Sequence, residues 1–211
     1  MNYNIGVDFD NTIVSYAGIM HKTAVKWGFI EPESEKDKKK IRDRIRELPD
    51  GEISWQKIQA YVYGKAMNDA VLVEGVKEFF YACKNAGILT FIISHKAQYA
   101  RMDKDNINLR EAALSWMKKN NFFEKEGLGL SRDCIYFEST RQEKIERIKQ
   151  LQCTHFIDDL EETFLEQSFP NNVEKILYAS MKSGPTRNGI KIFSRWEGIH
   201  AYLLKQMSVK Q

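Results

Sequence analysis

Residues 5–14 read Ile5-Gly6-Val7-Asp8-Phe9-Asp10-Asn11-Thr12-Ile13-Val14. The apolar start of this stretch is typical of a buried strand, and Asp8 falls where that strand should reach its carboxyl end. In open parallel α/β sheets this end is the active-site edge. Because side chains alternate along a strand, Asp8 and Asp10 would project to the same side if the strand continued. Two such carboxylates repel each other unless a cation or a shared proton compensates.

The same stretch also fits an ordinary turn. Asp and Asn favour turns, and Thr or Asp can cap the helix that follows. On these residues alone the two interpretations are about equally good. The rest of the chain decides between them, because an acidic site needs partner residues elsewhere.

Composition and charge are those of an ordinary globular protein. The chain has 211 residues, of which 43% are hydrophobic and 29% charged, which suits one sizeable domain or a core with a small insert. The net charge is +3, and the cations are mostly interleaved with acids, as in residues 35–44. Such a pattern indicates a solvated helix face, so we expect no nucleic-acid partner.

Cysteine usage and hydropathy predict a cytoplasmic protein. The three cysteines Cys83, Cys134 and Cys153 lie far apart in apolar segments, as reduced core residues do. The first residues lack a basic start, and no run approaches the roughly 20 apolar residues of a membrane-spanning helix. We therefore expect neither a disulfide nor a membrane partner.

A helical insert is predicted after the first strand. Apolar residues recur at helical spacing before Gly28, form a thin seam within the charged residues 35–47, and recur again over 53–66. About fifty residues of helix thus precede the next strand signal, which is longer than an ordinary connection. We predict a core of residues 1–14 and 71–211 with a small helical cap, residues 15–70, inserted after the first strand.

Strand and helix patterns then alternate to the end of the chain. This alternation predicts an α/β fold with a Rossmann-like three-layer core and a mostly parallel sheet. Further strands are predicted at 88–93, 134–137, 154–157, 173–179 and 190–193, and helices at 76–86, 109–117, 143–151 and 196–207. Residues 97–108 are polar without a clear period, which favours a binding loop or lid.

Polar residues follow or precede these strands at the edge where Asp8 should lie. Ser94 ends the second buried strand, Lys144 stands in the first turn of the helix at 143–151, and Asp158-Asp159 follow the strand at 154–157. Because the carboxyl ends of parallel strands share one edge, these residues are expected to meet there.

Each of these residues also has a simpler interpretation. Ser94 could be a strand-end hydroxyl, and Lys144 a surface helix residue, with Lys149 and Arg141 competing for its role. The acidic pair could simply begin the next helix, as acids do. Only the complete set in this order favours a site.

In this order the residues resemble the four motifs of the haloacid dehalogenase-like hydrolase superfamily, over a stretch from Ile5 to about Glu162. The matching positions are Asp8-Phe9-Asp10-Asn11-Thr12, the strand ending in Ser94, Lys144, and Asp158-Asp159. The dehalogenase branch lacks an acid at the position of Asp10, so the resemblance implies the phosphatase branch. It also implies that residues 15–70 are a cap that closes over the site and limits substrate size.

The resemblance assigns a role to each residue. Asp8 would be the nucleophile that forms an aspartyl-phosphate, and Asp10 the general acid and base. Ser94 and Lys144 would bind and neutralise the phosphate. The implied cofactor is Mg²⁺, a hard cation that prefers oxygen ligands. Its ligands would be Asp8, Asp10 through its main-chain carbonyl, Asp158 and Asp159.

The expected activity is metal-dependent hydrolysis of a small phosphorylated metabolite. Substrate contacts are expected from Thr12, Ser94, His95 and Lys96, although a solvated loop position is the simpler interpretation of His95 and Lys96. Residues 91–96 and 156–160 also resemble a group of these hydrolases associated with bacterial surface-polysaccharide pathways. That likeness implies a sugar-linked or amino-alcohol phosphate as substrate.

Other functions remain open on the sequence. A phosphotransferase or mutase and a nucleotidase would share every motif residue, and a catalytically silent binding protein could keep the fold. Response-regulator receiver domains fit less well, because they place an acidic pair at the first strand and have no fifty-residue insert there. The sequence leaves the oligomeric state open.

Overall fold

A computed structural model describes residues 3–179 and 189–208. The strands are β1 (Asn4–Val7), β2 (Val14–Ser15), β3 (Val71–Leu72), β4 (Leu89–His95), β5 (Ile135–Glu138), β6 (His155–Asp158), β7 (Glu174–Tyr178) and β8 (Ile190–Phe193). The α-helices are α1 (Ala17–Lys26), α2 (Lys38–Arg46), α3 (Gly51–Tyr63), α4 (Val76–Asn85), α5 (Leu109–Lys119), α6 (Arg141–Gln150), α7 (Glu161–Leu165) and α8 (Trp196–Ser208).

Six strands form one sheet in the order β5-β4-β1-β6-β7-β8, and all five neighbouring pairs are parallel. Chain order therefore reverses between β1 and β6, which is where open α/β sheets place their ligand crevice. The predicted Rossmann-like α/β core is confirmed. The short strands β2 and β3 form a separate two-stranded sheet.

The central strand β1 is short, apolar and enclosed on both sides. Ile5 pairs with Thr90 of β4 and with His155 of β6. Gly6 is required by close packing, because a Cβ built there would lie 2.6 Å from the ring of Phe156. The sequence of β1 therefore combines apolar residues with the one residue that lets a neighbouring ring approach the backbone.

A hydrophobic cluster packs helices α6 and α7 against the sheet. Its buried members are Ile93, Ile145, Ile148, Cys153, Phe156, Phe164, Phe169, Val173, Leu177 and Ile190. Burial of each large apolar side chain contributes about 1.5–3 kcal/mol. This cluster fixes α6 on the sheet and so determines where Lys144 projects.

The chain divides into two compact units. Unit 1 comprises the described parts of Met1–Ile13, Leu72–His95 and Asn121–Gln211, and unit 2 comprises Val14–Val71 and Lys96–Asn120. Unit 1 holds the six-stranded sheet. Unit 2 thus combines the predicted insert with Lys96–Asn120, a segment that was predicted to belong to the core.

Unit 2 is built mainly from helices. Asp37 caps α2, since its side chain accepts a hydrogen bond from the Lys40 amide at 2.8 Å. Gly51 begins α3, and a Cβ there would lie 2.3 Å from the Ile45 carbonyl oxygen, so only glycine fits. The segment 96–120 is tied in by Trp116 of α5, whose Nε1 donates to the Ala70 carbonyl at 2.9 Å.

Several element boundaries differ from those predicted. Strand β4 continues to His95, because His95 still pairs with Glu138 of β5. Helix α3 ends at Tyr63, before the predicted limit at residue 66, since Gly64 forms its C-cap. These shifts are small, and Ser94 remains near the carboxyl end of its strand.

Candidate active site

Asp8 lies directly beyond the carboxyl end of β1 in unit 1. Its main-chain amide donates to the Ile157 carbonyl of β6 at 2.8 Å, which continues the pairing of the two strands. The Asp8 side chain is 6% exposed. The central strand therefore delivers a buried carboxylate to the point where the strand order reverses.

Lys144 joins Asp8 to Asp158. Its Nζ donates to Asp8 Oδ1 and to Asp158 Oδ2, both at 2.7 Å, and its side chain is 3% exposed. The ammonium also lies 5.2 Å from the centroid of the Phe156 ring. A buried cation is thus shared between two buried acids, which lie 136 and 14 residues away in the chain.

The first turn of α6 is built to hold Lys144 in place. Thr140 accepts from the Glu143 amide at 3.1 Å, and Glu143 in return accepts from the Thr140 amide at 3.1 Å. This capping box fixes the helix start. The competing lysine, Lys149, instead pairs with Glu146 at 3.2 Å on the exposed side of the helix.

The ion pairs of Asp8 and Lys144 oppose the effect of burial on the pKa of each group. Burial raises the pKa of Asp8 to about 6, the Lys144 ammonium opposes the rise, and the charges of Asp158 and Asp10 add to it. Burial lowers the pKa of Lys144, but the carboxylates of Asp158 and Asp8 outweigh it and raise that pKa above its ordinary value. One lysine therefore does not fully compensate the acids around it, so the site favours additional positive charge.

Three carboxylates could share a metal ion. Asp8, Asp158 and Asp159 each offer an oxygen, and these oxygens lie within 4.8 Å of one another. Asp158 is fully buried, and its Oδ1 accepts from the Leu160 amide at 3.0 Å, which orients the carboxylate. A set of hard oxygen donors with excess negative charge fits Mg²⁺.

Ser94 and Thr12 carry buried hydroxyls that have no partner. Among the described residues, neither Ser94 Oγ nor Thr12 Oγ1 makes a hydrogen bond with the protein. A buried hydroxyl without a partner costs roughly 1–3 kcal/mol, so such groups call for an explanation. Ser94 lies in β4, next to β1, the strand that leads into Asp8.

Comparisons with known proteins show the fold. No family model and no curated protein sequence matches the chain. Among solved structures it is similar to a haloacid dehalogenase-like hydrolase from Streptococcus pneumoniae, with a TM-score of 0.61 and 15% identity over 96% of this chain and 98% of that one. The chain has the haloacid dehalogenase-like fold.

Two further solved structures show the same fold. A haloacid dehalogenase-superfamily hydrolase of subfamily IA from Geobacter sulfurreducens gives a TM-score of 0.57 at 12% identity, over 96% of each chain. A haloacid dehalogenase family hydrolase from Deinococcus radiodurans, with bound phosphate and sodium, gives a TM-score of 0.51 at 13% identity, over 97% of this chain and 96% of that one. The superfamily fold predicted from the motifs is thereby confirmed, and the phosphatase branch stays a prediction.

Within the haloacid dehalogenase-like core, Asp10 and Thr12 stand on the loop after β1. Asp10 is half-buried. Asn11, between them, has φ 62°, a left-handed conformation that Asn adopts more readily than most residues. The Thr12 carbonyl accepts a hydrogen bond from Trp196 Nε1 at 3.0 Å. A contact of Trp196 with this loop was not predicted, because no local pattern links residue 196 to the first motif.

The two residues after Ser94 lie in different units. His95 is exposed in unit 1, and its Nε2 donates to the Ser139 carbonyl at 3.0 Å. Burial lowers the pKa of His95, with the charges of Lys144 and Arg141 acting the same way. Lys96 is buried in unit 2, where its Nζ lies 5.2 Å from the centroid of the Tyr63 ring. Their predicted substrate contacts stay predictions.

The structure also bears on membrane association. Within residues 3–179 and 189–208, none of the helices is both long and apolar enough to cross a membrane.

Proposed function

We propose that the chain is a metal-dependent phosphatase that hydrolyses a small phosphomonoester through an aspartyl-phosphate. The observation that carries the proposal is the buried arrangement Asp8–Lys144–Asp158, with both ion pairs at 2.7 Å at the switch point of the sheet. A purely structural ion pair needs one acid for one lysine, whereas this arrangement concentrates acids in excess. Such a surplus supports a site that binds a cation together with an anionic substrate.

The reaction follows from what each side chain can do. A carboxylate oxygen of Asp8 attacks the phosphorus atom as the bond to the leaving oxygen breaks, and Asp10 gives its proton to that oxygen. Asp10 then takes a proton from water, whose oxygen attacks the phosphorus and releases Asp8. Lys144 fixes the Asp8 carboxylate through Oδ1 and offers positive charge near the phosphoryl oxygens.

The acidic cluster would hold the metal. Asp8, Asp158 and Asp159 have the right donor set, and bound Mg²⁺ would neutralise charge on the phosphoryl group and on the surrounding carboxylates. The unpartnered Ser94 hydroxyl would donate to a phosphoryl oxygen. The phosphate present in the Deinococcus radiodurans structure supports this choice of ligand.

The presence of Asp10 favours hydrolysis of a phosphate ester over cleavage of a carbon–halogen bond. An alkoxide leaving group needs a proton, whereas a halide does not. We extend the proposal to a sugar-linked or amino-alcohol phosphate from bacterial surface-polysaccharide biosynthesis, on the resemblance of residues 91–96 and 156–160. A cytoplasmic location stays a prediction from the reduced cysteines.

The test is phosphate release from a panel of sugar phosphates, nucleotides and amino-alcohol phosphates, with Mg²⁺ or with chelator. Asp8→Asn is compared with Asp43→Asn, which alters an exposed acid in unit 2. We expect metal-dependent release that falls at least about 10³-fold in Asp8→Asn and is unchanged in Asp43→Asn.

Two results would reject the proposal or part of it. Release at full rate in Asp8→Asn removes the nucleophile assignment. No turnover of any panel member by folded, Mg²⁺-loaded wild type rejects the phosphomonoester proposal as a whole. Following the reaction by ³¹P NMR separates hydrolysis from a mutase or phosphotransferase, since transfer consumes the substrate without forming inorganic phosphate.

A further inference from the structure

The first residue of α8 contacts the loop that carries Asp10. Trp196 Nε1 donates to the Thr12 carbonyl at 3.0 Å, across 184 residues of sequence. Both residues are fully buried. The bond therefore connects the last helix of unit 1 to the loop after its first strand, in a place that water does not reach.

The loop between Asp8 and Ile13 is short and restrained at both ends. At its start the Asp8 amide donates to the Ile157 carbonyl at 2.8 Å. At its end the Ile13 amide donates to the Phe9 carbonyl at 3.0 Å, and the Ile13 carbonyl accepts from the Val73 amide at 2.9 Å. Between these points the chain passes through the left-handed conformation of Asn11. The Trp196 bond acts on the peptide group between Thr12 and Ile13, whose amide donates to the Phe9 carbonyl.

The indole ring of Trp196 is itself held firmly. Its centroid lies 5.1 Å from that of Phe79 and 6.1 Å from that of Tyr178. On a further side, a Cβ built on Gly75 would lie 2.7 Å from the Trp196 Cβ. A ring enclosed in this way cannot follow the loop if the loop moves, so it serves as a fixed donor.

Removing the donor would act on Asp10 through the main chain. A buried carbonyl that loses its hydrogen-bond partner is destabilising, so the loop is expected to turn this carbonyl toward another donor. The peptide that carries the Thr12 carbonyl also carries the Ile13 amide, which donates to the Phe9 carbonyl of the peptide that leads into Asp10. A rotation of the Thr12 peptide therefore strains this bond and changes the direction of the Asp10 side chain. Misplacement of a catalytic group by about 1 Å can cost roughly 10²-fold in rate.

We propose that Trp196 is a positioning residue, whose indole N–H holds the Thr12 carbonyl and thereby directs Asp10 at the leaving oxygen of the substrate. This inference rests on the proposed phosphatase function. In the first step the bond from phosphorus to the leaving oxygen breaks, the bond from phosphorus to Asp8 forms, and the Asp10 proton passes to the leaving oxygen. Loss of the N–H should therefore affect that proton transfer above all.

Leaving groups of different basicity reveal this effect. An alkyl phosphate releases a strongly basic alkoxide that requires the proton, whereas p-nitrophenyl phosphate releases a stable phenolate that does not. We compare kcat/KM, which reports on the first step, for both substrates in wild type, Trp196→Phe and Asp10→Asn. Phenylalanine keeps the aromatic packing and removes only the donor and part of the ring.

We expect kcat/KM of Trp196→Phe to fall about 10²-fold for the alkyl phosphate and less than about threefold for the aryl phosphate. The matched control is Phe79→Leu, which loosens the same packing and leaves the N–H in place. Phe79→Leu should lower kcat/KM equally for the alkyl and the aryl phosphate, or leave both unchanged. Asp10→Asn removes the acid itself and so sets the upper limit for the difference in kcat/KM loss between the two substrates.

An equal loss for both substrates in Trp196→Phe would overturn the inference and assign the bond to stability alone. Failure of wild type on both substrates and on every member of the panel would instead overturn the proposed function, before any variant is compared. If Trp196→Phe does not fold, 3-benzothienylalanine at position 196 keeps the shape of the indole without its N–H and gives the same comparison.

Discussion

In the metal-free protein at neutral pH, replacing Asp8 with Asn is expected to increase stability. Asp8 is buried, and burial raises its pKa from 3.8 to about 6 despite the ion pair with Lys144. The folded protein therefore binds this proton more tightly than the unfolded chain does. The stability of wild type should fall as the pH rises from about 4 to about 6, and the Asp8 contribution should be constant above that range.

The size of the change in the free energy of unfolding follows from the shift in the pKa of Asp8. Since one pKa unit corresponds to about 1.4 kcal/mol, ionised Asp8 lowers the free energy of unfolding by about 3 kcal/mol at pH 7.5 and by about 1 kcal/mol at pH 4.5. The difference between Asp8→Asn and wild type should thus grow by about 2 kcal/mol between these pH values. Asn keeps the volume of the side chain and removes only its charge.

The measurement is urea denaturation at a series of pH values in the presence of chelator, for wild type, Asp8→Asn and the exposed-site control Asp43→Asn. Saturating Mg²⁺ should then reverse the order, because an ion that binds only the folded state adds stability, and wild type has the additional ligand. A difference that stays constant between pH 4.5 and 7.5 would refute the electrostatic reasoning. A Mg²⁺ effect of equal size in both proteins would refute the place of Asp8 among the ligands.

Two further substitutions test the packing around the site by the same denaturation assay. Lys144→Met leaves two buried carboxylates without their cation and should lower the free energy of unfolding by about 3–5 kcal/mol. The control Lys149→Met changes a lysine on the exposed side of the helix and should lower it by less than about 1 kcal/mol. Equal losses in the two variants would show that the buried ion pairs add no stability. Gly6→Ala places a methyl group 2.6 Å from the Phe156 ring and should cost about 1–3 kcal/mol. The control Gly18→Ala lies in open space within α1 and should raise the free energy of unfolding by about 0.5–1 kcal/mol. A loss of stability in Gly18→Ala would contradict the packing explanation of Gly6→Ala.

Much of the core could be predicted from local sequence. The strand at Ile5–Val7 was visible because a central parallel strand is apolar on both faces, and the same holds for β6. The choice of Lys144 over Lys149 rested on its place in the motif pattern, 14 residues before Asp158, and the structure places Lys144, not Lys149, against the acids. The catalytic roles of Asp8 and Lys144 stay predictions.

The parts of the fold and the site that were not predicted depend on contacts between segments that are distant in the sequence. Local sequence patterns do not indicate such contacts. Lys96–Asn120 belongs to unit 2 through bonds such as that from Trp116 to the Ala70 carbonyl. The bond from Trp196 to Thr12 is equally remote in sequence. Loop and helix patterns predict elements, but the partner of a buried indole N–H is determined only when the whole unit has assembled.

The central place of β1 has a consequence for synthesis of the protein. As the chain leaves the ribosome, β1 can pair on one side with β4 once residue 95 has emerged, but its other neighbour, β6, begins at residue 155. At about 5–20 residues per second, one edge of the innermost strand stays open for several seconds. Open apolar edges are sites of aggregation, so nascent chains of intermediate length are where a chaperone would be needed most.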